Sequence, residues 1–269
     1  MGRAAWVALG LMGACKPVRE APTDVDAALR GLWTAYHDED GEALAVVVDA
    51  IPTLVDVDAL AAESAWVDGQ QGPLTLEEMA LAEGSEMVPE PEEAVALFTV
   101  SRYPCAMDHQ QKILVYHDQN ELYEVYDGYV RSYIDDAAAF LAGGAAGAEW
   151  RGDIEATIPT VGSYSYGFRT GIRRVEGASV PAVVTRTFME RVAQWDNENA
   201  TFEQDYQIEA YLDVGGDIVH FYGVWRDMVV GWMGDMTTTP VARTTVNQMF
   251  KWDRRTAALC AEGTPAQSP

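Results

Sequence analysis

The sequence predicts an α+β protein: an N-terminal helical region followed by a long-stranded antiparallel β-meander, curved into an open sheet or half-barrel. Two observations carry that expectation. Apolar residues recur every three to four positions up to about residue 147, and at every second position after residue 150. The later segments are also joined by short turns such as Gly215-Gly216-Asp217, which make consecutive strands antiparallel neighbours. The small-residue run Gly143-Gly144-Ala145-Ala146-Gly147 separates the two regions.

Residues 24–147 form the acidic, mainly helical region. Thr23 or Asp24 can cap a first helix, whose apolar face is Leu29, Leu32, Trp33 and Tyr36. Asp38-Glu39-Asp40-Gly41 ends it. Residues 42–50 and 57–66 are alanine-rich and expected to be helical, with Pro52 breaking between them. Thr75 followed by Glu78 is a capping-box pattern for a short helix reaching about Glu83. A loop over 84–91 and renewed helix over 92–99 follow. The longest helix is expected over 119–142, where Leu122, Val125, Tyr126, Tyr129, Val130, Tyr133, Ile134, Ala137, Phe140 and Leu141 make one stripe. Gly128 is its weak point, at a cost of about 1 kcal/mol.

Residues 148–260 form the sheet region, with strands expected over 150–158, 163–174, 181–195, 202–214, 217–230 and 241–252. In 202–214, Phe202, Gln204, Tyr206, Ile208, Ala210, Leu212 and Val214 form a core face, and Glu203, Asp205, Gln207, Glu209, Tyr211 and Asp213 a wet one. Strand 217–230 is apolar on both faces, as a covered central strand should be, and the 119–142 helix is the expected cover. A sheet of such long strands curls. Its aromatic inner face is the candidate site: Tyr164, Tyr166, Phe168, Phe202, Tyr206, Ile208, Leu212 and Trp225 either line an apolar pocket or fill a core. Residues 261–269 are expected to be disordered.

The first residues carry a separate signal. Arg3 precedes an apolar run, Ala4 to Ala14, that is far short of the roughly 20 residues of a membrane-spanning helix. The ending Met12-Gly13-Ala14-Cys15 resembles the lipobox of bacterial lipoproteins. That resemblance implies a signal peptide over 1–14, lipidation of Cys15, a tether over 15–23, and attachment to a membrane through N-terminal acyl chains. Lys16, where Asp would favour inner-membrane retention, leans the expected location to the outer membrane, on its periplasmic or surface face. If Cys15 takes lipid, Cys105 and Cys260 remain as an even pair in an oxidising compartment and are expected to form a disulfide. Closing so long a loop is worth about 5 kcal/mol in the chain-entropy account.

The net charge of −24 is unevenly spread. Residues 16–149 hold 27 acidic and 6 basic residues. Such a surface excludes nucleic acid, which needs Lys and Arg against phosphate, and disfavours anionic lipid. It suits solubility or a basic protein partner. The histidines His37, His109, His117 and His220 have no metal-ligand spacing, and His220 is expected to be a hydrogen-bonded core residue. Asp38-Glu39-Asp40-Gly41-Glu42 lacks the ligand positions of an EF-hand. No nucleophile elbow, P-loop, dinucleotide fingerprint or zinc-protease motif occurs, so no catalytic residue, metal or cofactor is expected.

The reading that follows is a lipid-anchored exported envelope protein acting as a non-catalytic binding module for an apolar small molecule. The alternative is a structural subunit of an envelope assembly that docks through its acidic helical face. An envelope enzyme is the third.

Overall fold

The computed structural model describes residues 20–38, 41–61 and 67–263. Cys15 and its lipobox lie outside them, as do residues 264–269. Among the described residues the fold is α+β, built on one antiparallel sheet of nine strands in the order β1 (Val67–Gln70), β2 (Val95–Pro104), β9 (Asp217–Val230), β8 (Ala200–Val214), β6 (Ala182–Met189), β5 (Gly162–Arg174), β4 (Gly147–Ile158) and β3 (Gly128–Tyr133), with β7 (Gln194–Trp195) paired to β5. The sheet curves without closing.

Helices α1 (Val25–Ala35) and α2 (Glu42–Leu54) pack against each other and on one face of the sheet. Asp24 caps α1 by accepting from the Ala27 N–H at 2.8 Å, and the expected stripe of Leu29, Leu32, Trp33 and Tyr36 is buried. Burying each such side chain contributes roughly 1.5–3 kcal/mol. α2 does not break at Pro52. The proline lies in its last turn, where the lost N–H ends a helix already ending. Of the helix expected over 57–66, a single 3-10 turn (Ala59–Ala61) is seen, and 62–66 lie outside the described residues. After β1 (Val67–Gln70), α3 (Leu76–Met79) begins with the expected capping box, Thr75 and Glu78 each accepting from the other's N–H.

Three expectations are corrected. Residues 95–104 are not a helical continuation but a strand, β2 (Val95–Pro104), paired with β9 from Val95↔Arg226 to Pro104↔Asp217. It is buried along most of its length, so its apolar residues carry no period to read. After α4 (Met107–Leu114), the expected 119–142 helix is three pieces: α5 (Gln119–Leu122), β3 (Gly128–Tyr133) and α6 (Ala137–Leu141). The stripe breaks at Gly128, and from there Tyr129, Arg131 and Tyr133 alternate with Val130 and Ser132 along β3. Three strands of the 24–147 stretch therefore join the same sheet as the later ones.

The strands β4 (Gly147–Ile158), β5 (Gly162–Arg174), β6 (Ala182–Met189), β7 (Gln194–Trp195), β8 (Ala200–Val214) and β9 (Asp217–Val230) fall where period-two patterning put strands. Gly215 and Gly216 both have positive φ, 69° and 94°, which the two-residue turn between β8 and β9 requires. The third correction is the last element. Residues 241–252 are not a strand but part of α7 (Thr239–Glu262), a helix of 24 residues. Pro240 opens it in the first turn, and Val246, Met249, Phe250 and Asp253 form its buried face. Ala261 and Glu262 belong to this helix rather than to a disordered tail. No described helix is long and apolar enough to cross a membrane.

Cys105, just after β2, is bonded to Cys260 near the end of α7, with 5.3 Å between Cα atoms. The bridge ties α7 down beside α4.

Candidate functional site

The concave face of the sheet does not meet α7 in continuous packing. Between them lies a cavity of about 230 Å³, closed at one side by α4, α5 and the loop to β3. Four of the eight candidate residues line it: Tyr164, Tyr166 and Phe168 from β5, and Phe202 from β8. Their rings interlock, with Tyr166 edge-on to Phe202 at 5.2 Å and Phe168 against Tyr129 at 5.6 Å.

The other four lie elsewhere. Tyr206, Ile208, Leu212 and Trp225 point to the opposite face and pack in the core with α1 and α2. Trp33 sits edge-on to Tyr206 at 5.7 Å and to Trp225 at 6.1 Å. Gly223 allows this close approach, since a Cβ there would meet Leu29 at 2.7 Å. These four residues are plain core.

A β-bulge explains the split on β8. Phe202 pairs with Met228 and Gln204 with Asp227, leaving Glu203 as an extra residue. The extra residue turns Phe202 to the side of Asp205, Gln207, Glu209 and Tyr211. Gln207, Glu209 and Tyr211 of the stretch expected to be wet therefore floor the cavity, and Asp205 is buried beside them.

His220 of β9 is the centre of the polar floor and is 4% exposed. Its Nδ1 lies 2.7 Å from Asp253 Oδ1 of α7, and its Nε2 lies 3.0 Å from Glu209 Oε2. Burial pushes the imidazolium down, but Asp253 and then Glu209 outweigh it and raise the group to about 9. Hydroxyl groups also donate to both carboxylates. Ser101 donates to Asp253 Oδ2 at 2.6 Å, Thr185 to Glu209 Oε1 at 3.0 Å, and Tyr211 to Glu209 Oε2 at 2.6 Å. Tyr211 stacks on the imidazole with centroids 4.2 Å apart, and the Tyr222 ring lies near-parallel to it at 5.4 Å. Burial raises both phenols well above their ordinary value, so both stay protonated.

A second buried pair lies beside the first. Arg226 makes two parallel hydrogen bonds to Asp205, both at 2.9 Å, with its guanidinium over the Phe202 ring. Gln207 completes the network, accepting from the Tyr222 hydroxyl at 2.6 Å and donating to Asp205. On the far wall, Arg131 of β3 stacks over Trp150 of β4 at 4.3 Å.

Chemically, this is a rigid, pre-paired floor under an aromatic wall. Both nitrogens of His220 are occupied by carboxylates, so neither is available to take a proton from a bound molecule. Among the described residues, no group of three or more His, Cys, Asp or Glu side chains is placed to hold a metal. The expectation of a hydrogen-bonded His220 agrees with its setting. Its partner Asp253 was out of reach of sequence reasoning, because 241–252 read as a strand. The Asp205–Arg226 pair had a signal: the Gly215-Gly216 turn fixes the register, and that register sets Asp205 opposite Arg226 and Tyr211 opposite His220.

No family model matches this chain, and no curated protein matches it. Among solved structures, it is similar to the STAR-related lipid transfer protein (fragment 25-204) of Xanthomonas axonopodis at 11% identity and a TM-score of 0.41, covering 66% of this chain and 99% of that one. A START superfamily protein from Mycobacterium smegmatis shares 8% identity at a TM-score of 0.39, over 62% and 97% of the two chains. Human STARD10 shares 8% at 0.41, over 76% and 84%. Likeness at these levels assigns neither a family nor a ligand to this chain.

Proposed function

We propose that the protein is a lipid-anchored, exported binding module that holds a small molecule between the concave sheet and α7. The observation that carries this reading is the cavity itself. Its polar floor is already paired, His220 with two carboxylates and Arg226 with Asp205, while some 230 Å³ above that floor stays open. A site whose charges are fixed before a ligand arrives loses little on binding. The volume falls below the roughly 300–1,000 Å³ of drug-sized sites, which suits a compact ligand rather than a whole phospholipid. The tyrosine and phenylalanine wall suits an apolar or aromatic body, and the mixed lining suits a molecule that also carries a polar group.

Anchoring belongs to the same proposal. The Met12-Gly13-Ala14-Cys15 pattern supports acylation at Cys15, and Lys16 in place of Asp after it leans the location to the outer membrane. Native mass spectrometry of the protein taken from its own membranes tests both parts. The expected result is a chain beginning at acylated Cys15 that carries a small non-covalent adduct, lost on denaturation. A bare chain, with no change in melting temperature across a panel of small amphiphiles, would overturn the binding reading. A chain beginning elsewhere, or without lipid, would overturn the anchor.

A further inference from the structure

Four buried polar atoms on residues that line the cavity have no partner, and they share one property. Arg131 Nε, Trp150 Nε1, Trp252 Nε1 and Gln248 Nε2 are all buried without a hydrogen bond, and all are N–H donors on residues that line the cavity. No acceptor in the lining is left unmet in the same way. Indole and guanidinium nitrogens cannot be exchanged for acceptors, so the bias toward donors stands even with the Gln248 amide turned over.

Arg131 adds a charge to this set. It is 5% exposed and Trp150 is 2% exposed. The guanidinium of Arg131 donates to the Leu114 carbonyl and to the Tyr129 hydroxyl, both at 2.8 Å, and neither is a carboxylate. The other cations of the lining are matched within it: Arg226 by Asp205, and His220 by Glu209 and Asp253. A buried guanidinium with no carboxylate hydrogen-bonded to it is left with a desolvation penalty, which an anion brought by a ligand would offset.

We infer that the ligand is a small organic carboxylate, with its head group taken by Arg131 and the indole N–H groups of Trp150 and Trp252. Arg131 is the one cation of the lining with no carboxylate hydrogen-bonded to it, and a planar carboxylate suits a guanidinium flanked by further donors. The aromatic wall of Tyr164, Tyr166 and Phe168 then covers the organic body. This inference rests on the binding reading above and names its ligand class.

Calorimetric titration of the full-length protein with phenylacetate, phenylacetamide and benzylamine tests it. Phenylacetate binds most tightly. The amide, which lacks the charge, loses about tenfold, and so does phenylacetate against Arg131→Gln, as loss of a charged hydrogen bond requires. Arg131→Gln costs the amide less than it costs the acid, because only a neutral hydrogen bond is lost. Trp252→Phe, on the partly exposed face of α7, gives a smaller loss for phenylacetate and is the variant to read if Arg131→Gln does not fold. Equal binding of acid and amide, untouched by either variant, overturns the carboxylate and leaves the binding module standing. Preference for benzylamine overturns it as well. If none of the three binds, the inference fails, and the native adduct alone decides the binding reading.

Discussion

His220 is one imidazolium shared by two buried carboxylates. Around it stand Asp253 of α7, Glu209 and Tyr211 of β8, Ser101 of β2, and Tyr222 of its own strand. Its folded value of about 9 lies above the ordinary value of 6.5. A raised base contributes its stability in full below the unfolded value and loses it as pH rises through the folded one. The melting temperature should therefore fall between about pH 6.5 and pH 9, with an underlying loss of roughly 3 kcal/mol. Glu209, held below its ordinary value despite burial because His220 hydrogen-bonds to it, acts in the opposite direction in acid. His220→Gln should remove the alkaline slope and lower stability at neutral pH by roughly 3–5 kcal/mol, since two buried carboxylates lose their cation. A variant that kept the wild-type slope in a pH series of thermal melts would show that another group titrates. Sequence reasoning reached part of this cluster. A histidine in the middle of an apolar strand had to be hydrogen-bonded, but Glu209 and Tyr211, which the hairpin register sets beside it, were expected on a wet face. It did not reach Asp253, whose approach depends on a helix 33 residues downstream.

At the scale of elements, what could be read was what sequence-local forces decide. The α1 stripe, the Thr75–Glu78 capping box and the β8–β9 hairpin each depend on residues within a few positions of one another, and each is present. β2, β3 and α7 depend on distant partners. β2 is buried beside β9, so its pattern is featureless. β3 carries tyrosines whose spacing also fits a helix. α7 begins with β-branched residues, but Pro240 and the spacing of Val246, Met249, Phe250 and Asp253 outweigh their strand preference. The Cys105–Cys260 bridge fastens the end of this helix beside α4. Replacing both cysteines with serine should lower stability by roughly 2–5 kcal/mol in urea unfolding. It should also speed amide exchange in the last turns of α7 more than in β8 or β9. Unchanged exchange there would mean that packing of Met249, Phe250 and Leu259, rather than the bridge, holds the helix down.

For the whole molecule, the change of period near residue 147 marks a change in local pattern and not an edge of the sheet. β2 lies against β9 along ten consecutive pairs, and β3 lies against β4, so both flanks of the later meander are covered by strands from the earlier stretch. α1 covers Tyr206, Ile208, Leu212 and Trp225, which would otherwise face water. The two stretches thus share one core, and the cavity draws its wall from both. This predicts that residues 148–260 alone will not fold. That fragment keeps β4 to β9 and most of α7, but it exposes the edges of β9 and β4 and the apolar face under α1. Its disulfide partner Cys105 is also absent. The fragment should show no sigmoidal urea transition and no near-ultraviolet signal from its tryptophans, whereas the full chain should lose that signal in a single transition. A cooperative transition in the fragment would mean that the meander folds by itself and that the earlier stretch is added to a finished sheet. The open edge on β9 argues against that outcome: an unpaired, apolar strand of 14 residues is a template for aggregation unless β2 occupies it.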